Sequence, residues 1–280
     1  MVVIVQRMIG EHDVFRRSVA EFVGTFAFVF VGAGAVASAG LTGDVSPSLL
    51  AIAFAHGLVM AAMVSAVGHI SGGHFNPAIT LGFFVTRRLA VSLTIAYLIA
   101  QLAAAVAAAA LIRWLFPGDS AESVGYGSPA IDPGIDVAEA LVIEAILTFF
   151  LVWVVFATTA DIRGTFKAVA GLAIGLVIVF DTLIGGPLTG AMMNPARAFG
   201  PQLMDSSWDD FWIWYAGPIL GGAIAALVYE LLYLRPLEPV PVGVEGTGVE
   251  EPGVGEAVLD QPVIEATALD EPSHGNTERS

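Results

Sequence analysis

Six long apolar runs leave this chain few folds to choose from. They cover 19–41, 49–67, 89–115, 137–160, 168–184 and 211–234. A helix needs about 20 apolar residues to cross a bilayer, so two of the runs lie near the short limit. Lipid offers no partner to an unpaired backbone group, which restricts spanning structures to helices and closed barrels. Runs of this length select helices. A mean hydropathy of +0.79 with 56% hydrophobic residues agrees with lipid as the solvent. The first run follows Arg16 and Arg17 and lacks a small-residue cleavage site, so it reads as a retained helix and not a signal peptide.

The charges are clustered. Net charge is −15, and much of it lies in 236–280, a stretch of Glu, Asp, Gly, Pro and Val without aromatics. Such a segment cannot bury enough apolar surface to fold and is expected to be a disordered acidic tail. Basic residues mark one side of the membrane: Arg7, Arg16 and Arg17 before the first run, Arg87 and Arg88 after the second, Arg163 and Lys167 after the fourth, and Arg235 after the sixth. The positive-inside rule makes that side cytoplasmic, with both termini there. The opposite loops carry Asp44, Asp119, Glu122, Asp132, Asp136, Asp205, Asp209 and Asp210. Arg113 is the one basic residue placed near them apart from Arg197. There is no cysteine, which excludes a disulfide, a thiolate nucleophile and a Cys-ligated metal.

The tripeptide Asn-Pro-Ala occurs twice, as Asn76-Pro77-Ala78 in SGGHFNPAIT and Asn194-Pro195-Ala196 in TGAMMNPARAFGP. Glu21-x-x-x-Thr25 in the first span likewise matches Glu144-x-x-x-Thr148 in the fourth. The chain is thus an internal repeat, 15–116 and 137–235, with three spans in each half. An odd number of spans inserts the second half upside down, an arrangement many transport proteins share. The apolar residues after each tripeptide, 79–85 and 197–203, are too few to span. Pro suits the first position of a helix, and Asn before it is a good N-cap. Two half-helices are predicted, entering from opposite faces and meeting near the midplane. Irregular backbone at that depth is tolerated only where it is buried in protein or lines a water-filled cavity. The fold class is therefore all-α: six transmembrane helices plus two half-helices in an inverted repeat.

On SGGHFNPAIT, TGAMMNPARAFGP and the paired Glu21 and Glu144, the chain resembles the aquaporin (major intrinsic protein) family over about 15–235. The resemblance implies a passive pore for water and small neutral solutes. Each half-helix N-terminus carries about +0.5 of a charge. Two such ends would repel cations and protons, while the amides of Asn76 and Asn194 donate to one passing water and interrupt a proton wire. By the same resemblance, Glu21 and Glu144 accept hydrogen bonds from the loops that carry the pore's backbone carbonyls, a supporting role. The family's filter positions fall on His56, Thr182, Ala191 and Arg197. A slip of one residue would put Asp181 in place of Thr182. This set is similar to the filter of plant tonoplast aquaporins, which usually have Ile where Thr182 stands. Some of those pass ammonia, urea or hydrogen peroxide besides water. Glycerol facilitators usually have Asp after the filter arginine, where this chain has Ala198. Four copies, each with its own pore, are implied.

Two alternatives compete with a water channel: a glycerol-type facilitator, and a non-conducting structural membrane protein. The second has no need of the Asn, Asn and Arg set. His12, His56, His69, His74 and His274 form no metal-ligand motif, and there is no Walker A or dinucleotide fingerprint. No enzyme activity, cofactor, metal or nucleic-acid partner is expected, and the plasma membrane is the expected location. His69 and His74 flank the first motif's approach and are expected to support it. Gly32, Gly34, Gly57, Gly171, Gly175, Gly221 and Gly222 are expected to let helices pack closely.

Overall fold

The computed structural model describes residues 11–41, 48–116, 118–163 and 169–235. These residues fall in one unit, Met1–Pro239. The acidic segment 236–280, Arg7, Asp44 and Lys167 lie outside the described residues. Eight helices carry the fold: α1 (Glu11–Leu41), α2 (Leu49–Ser71), α3 (Pro77–Val85), α4 (Val91–Leu115), α5 (Val137–Val155), α6 (Ala170–Thr189), α7 (Pro195–Asp205) and α8 (Ile213–Tyr229). Six are long and apolar enough to cross a membrane, while α3 and α7 are the two half-helices. A wider, π-type turn extends α5 through Phe156–Ala160 and α8 through Glu230–Leu234.

The helices outrun the apolar runs, because hydropathy marks only their lipid-embedded part. α1 begins at Glu11, and Asp13 and Arg17 pair across one of its early turns at 2.8 Å. α2 and α6 continue past the predicted ends at 67 and 184 to Ser71 and Thr189. Each then stops on a left-handed glycine, Gly72 or Gly190, whose N–H closes the last turn on Gly68 O or Gly186 O. α5 opens with a reciprocal cap between Asp136 and Glu139.

Each repeat is a three-helix group, α1 with α2 and α4, and α5 with α6 and α8. The groups meet where α2 crosses α6. There Gly57 and Gly175 face each other, and a Cβ on either would run into the other's carbonyl oxygen. This reciprocal contact is what a two-fold relation between the repeats requires. Each half-helix also packs across the boundary. Gly82 of α3 lies against Ala226 and Val152 of the second repeat, and Gly200 of α7 sits on the Ala105 backbone of the first. Gly34 differs from the expectation, since a Cβ there would meet nothing within 4 Å and no helix uses it for close approach.

Ion pairs tie the ends on the arginine-bearing side. Arg88, just after α3, donates to Glu230 through Nε at 2.6 Å and Nη2 at 3.1 Å. Asp161 accepts from Arg163 and from the Tyr229 hydroxyl, and the Arg163 hydrogen bonds hold its carboxyl well below the usual carboxylate range.

The α2–α6 crossing gives a direct test. Gly57→Val should cost at least the ~1–3 kcal/mol of ordinary overpacking, because the atom it meets is backbone. Melting of detergent-solubilised protein should show a clear loss for Gly57→Val and almost none for Gly34→Ala.

Candidate pore and its acidic-side cavity

Two short non-helical approaches, 72–75 and 190–193, lead into α3 and α7. In a water-filled loop their N–H groups would find solvent; at membrane depth each needs a protein acceptor. Glu21 and Glu144 supply them. Glu21 Oε1 accepts from the Ser71 hydroxyl (2.7 Å) and His74 N–H (2.9 Å), and Oε2 from Phe75 N–H (2.6 Å) and Gln101 Nε2 (2.8 Å). Glu144 Oε1 accepts from the Thr189 hydroxyl (2.7 Å) and Met192 N–H (2.9 Å), and Oε2 from Met193 N–H (2.9 Å). Gln101 apart, the donors occupy matching places in the two repeats. In a trans peptide the C=O lies opposite the N–H, and among the described residues no peptide bond is cis. The carbonyls of Gly73, His74, Ala191 and Met192 are therefore directed away from the two carboxylates.

The two approaches join at the half-helix starts. Asn76 Oδ1 accepts from Ala78 N–H at 2.8 Å, capping α3, while its Nδ2 donates to Met193 O at 2.9 Å. Asn194 Oδ1 accepts from the N–H groups of Ala196 and Arg197, capping α7, while its Nδ2 donates to Phe75 O at 2.9 Å. Phe75 and Met193, each just before an Asn, are non-glycine residues at φ 48 and 53. Such left-handed residues cost of order 1 kcal/mol or more and persist where the surroundings over-determine them. Here each supplies the carbonyl that binds the other repeat's amide. One amide N–H per Asn is thus used within the protein, which leaves one, not two, for any further acceptor.

Behind the approaches the repeats diverge. Tyr97 hydroxyl donates to Ser71 O (2.6 Å), and the matching donor in the second repeat is Trp214 Nε1, to Thr189 O (2.9 Å). Beyond that the first repeat is polar. His74 Nδ1 lies 3.1 Å from Thr80 Oγ1, which also accepts from Gln101 Nε2 at 2.9 Å, and the His74 ring stacks on Phe83. The second repeat is apolar at the same places, with Met192, Ala198 and Trp214 in one cluster. His69 lies in the last turn of α2 and is exposed.

On the acidic side a cavity of about 410 Å3 opens above the junction, and His56, Thr182 and Arg197 all line it. Asp181 does not; it is buried, with Oδ2 lacking a partner. The structure thus turns Thr182, not Asp181, to the cavity. The Ala191 side chain is not on the wall either. Its neighbours Gly190 and Met192 are, while Ala191 packs toward Gly185 at φ 49. Arg197 is almost wholly buried. Its Nε donates to His56 Nε2 at 3.1 Å and its Nη1 to Gly127 O at 2.7 Å. His56 Nδ1 faces Ile52 O at 2.9 Å, which makes Nδ1 the protonated nitrogen and Nε2 the acceptor. Gly32 of α1 leaves room for the His56 ring. Gly127 is the partner of Arg197 that the sequence conceals, because a backbone carbonyl leaves no signature in residue identity. Among the described residues, no group of three or more His, Cys, Asp or Glu could hold a metal ion.

Glu144→Leu should leave two buried N–H groups without acceptors, at about 1–3 kcal/mol each, and the Thr189 hydroxyl with only a long contact to Gly185 O at 3.5 Å. The expected outcome is loss of folded protein on size-exclusion chromatography, with Glu144→Gln intermediate.

Comparison with known proteins agrees with this architecture. The family described as major intrinsic protein matches residues 8–229. Aquaporin TIP4-4 of Zea mays is 41% identical over 232 residues, covering 81% of this chain and 90% of its own. Aquaporin TIP2-1 of Arabidopsis thaliana is 38% identical over 232 residues, covering 81% and 91%. The X-ray structure of the aquaglyceroporin from Plasmodium falciparum superposes with a TM-score of 0.72 at 24% identity, covering 80% of this chain and 98% of that one, which speaks to the fold alone. With a family match over most of its length and relatives this similar, the chain belongs to the major intrinsic protein family, as a tonoplast-type aquaporin homologue.

Proposed function

We propose that the chain's pore runs from the acidic-side cavity past Arg197, along the carbonyls of Gly73, His74, Ala191 and Met192, and through the junction of Asn76 and Asn194. The protein is a passive water channel, the function its relatives carry. The observation that carries the path is the reciprocal bond of each Asn amide to the other repeat's approach. It fixes both half-helix N-termini, each about +0.5 of a charge, at one point of a low-dielectric wall. The free amide N–H of each Asn can then orient a water whose neighbours lie along the file. Cations and protons meet two positive helix ends and the Arg197 guanidinium, whereas neutral molecules meet only hydrogen-bonding partners.

His56, Thr182 and Arg197, with the backbone of Ala191, form the filter in this reading. Glu21 and Glu144 hold the carbonyl-bearing approaches and carry no ion. The polar His56 and Thr182 walls favour water over glycerol; ammonia and hydrogen peroxide are close to water in size and polarity, and urea is a larger solute that the pore admits more slowly. The assembly is a homotetramer with one pore per subunit. The multi-pass chain has both termini in the cytoplasm, as the placing of Arg16, Arg17, Arg87, Arg88, Arg163 and Arg235 supports; the plasma membrane is the location proposed for it.

Stopped-flow light scattering on proteoliposomes tests the reading. Fast shrinkage in sucrose with low activation energy and slow glycerol re-entry is expected. Fast glycerol re-entry would mean a facilitator, and rates no faster than those of empty vesicles would mean a structural protein. Arg197→Val should raise the glycerol-to-water permeability ratio on the order of tenfold, the equivalent of about 1.4 kcal/mol; an unchanged ratio would remove Arg197 from the filter.

A further inference from the structure

We infer that Arg113 is a positioning residue for the filter, acting through the turn Gly125–Gly127 and the end of α7. The inference rests on Arg197 being a filter residue. Arg113 is a basic residue on the acidic side, where the positive-inside rule gives no reason for one. It closes α4, and its guanidinium makes two contacts. Nη1 donates to Met204 O near the C-terminal end of α7 at 2.9 Å, and Cζ lies 5.9 Å from the centre of the Tyr126 ring. A cation near the end of a helix is favoured by the carbonyls left unpaired there, and a guanidinium over a phenol ring is attracted by its π face.

What Arg113 touches are two of the anchors of Arg197, the third being His56. The first is α7 itself, which bears Arg197 near its start. The second is the three-residue turn whose Gly127 carbonyl accepts from Arg197 Nη1. That turn is unusual, since Gly125, Tyr126 and Gly127 are all left-handed, at φ 56, 50 and 83. Glycine takes such a conformation freely, but a bulky aromatic does not. Tyr126 therefore keeps it only while neighbours hold the ring. Tyr126 is 8% exposed, and Arg113 lies over its ring. Elsewhere the turn is confined. A Cβ on Gly127 would meet the Ala33 backbone of α1 at 3.0 Å, and Ser128 is hydrogen-bonded to Ser207 beyond α7. Arg113 thus clasps the turn to α7, and the clasp sets where the Gly127 carbonyl holds the Arg197 fork. Releasing it lets the guanidinium shift and widens the constriction, with no change to any residue on the filter wall.

The test uses the full chain in proteoliposomes, with urea as the larger solute. Arg113→Met, Tyr126→Leu, Arg197→Val and the double variant Arg113→Met with Arg197→Val are compared with the parent. Arg113→Met and Tyr126→Leu should each raise the urea-to-water permeability ratio about threefold to tenfold, and Arg113→Lys should raise it less than Arg113→Met. The double variant should match Arg197→Val alone, because the clasp has nothing left to position. An unchanged ratio in Arg113→Met beside a raised one in Arg197→Val overturns the inference and leaves the filter reading intact. A further rise in the double variant also overturns it, since that marks general loosening. An unchanged ratio in Arg197→Val instead overturns the filter reading itself. Should Arg113→Met fail to fold, Tyr126→Leu and Arg113→Lys decide by the same ratio.

Discussion

Everything at the centre of this protein depends on two carboxylates accepting backbone N–H groups in a place without water. Glu21 and Glu144 sit in the middle of apolar helices, where a charge is costly unless it is saturated. The approaches 72–75 and 190–193 leave the helical pattern at the same depth, where their N–H groups would be costly unless accepted. Each liability cancels the other. The consequence is directional: once N–H groups point at the carboxylates, the carbonyls of the same peptides point the opposite way. A row of carbonyl acceptors directed away from the carboxylates follows from how the loops are held, and in the proposed pore it needs no side chain to provide it.

The Asn residues complete this logic at the junction. An Asn cap alone would fix the start of one half-helix. Here the same side chain also reaches the other repeat's approach, so that neither half-helix is positioned without the other. The reciprocal approach of Gly57 and Gly175 does the same for the spanning helices. The repeats are thus held together by two-fold contacts at two levels, backbone packing and amide bonding. The departures from symmetry lie behind the approaches, where Gln101, Thr80 and His74 make a polar network on one side and Trp214, Ala198 and Met192 pack on the other.

How much of this was legible in the sequence follows from what leaves a mark in residue identity. Six apolar runs, an odd count per repeat and a duplicated Asn-Pro-Ala give spans, inversion and half-helices, since each is a pattern of side chains with a period or a cap. Glu21 and Glu144 were visible because a carboxylate in an apolar run is conspicuous. The true lengths of α1, α2 and α6 were not, since polar helix turns and glycine-rich turns look like loops to hydropathy. Thr182 and Asp181 could not be told apart, because adjacent residues on a helix differ only by rotation, which packing decides. Gly127 was invisible for a deeper reason: it acts through its carbonyl, and any residue has one.

The charge placement gives the arrangement its sense. Among the described residues, four buried acids, Glu21, Glu144, Asp161 and Glu230, accept hydrogen bonds from named partners. Asp181 is the departure, with an oxygen that has no partner, yet it does not line the cavity. The positive groups at the cavity and the half-helix junction are placed the other way. Arg197 has a His nitrogen and a carbonyl as partners, neither of which neutralises it, and it lines the cavity. The half-helix N-termini are likewise capped by neutral amides and not by carboxylates. Had Asp stood in place of either Asn, the cap would be as good by helix standards, but the positive end would be cancelled. A neutral cap is therefore the choice that keeps a helix start both satisfied and electropositive, and a wall that passes water while refusing cations needs both.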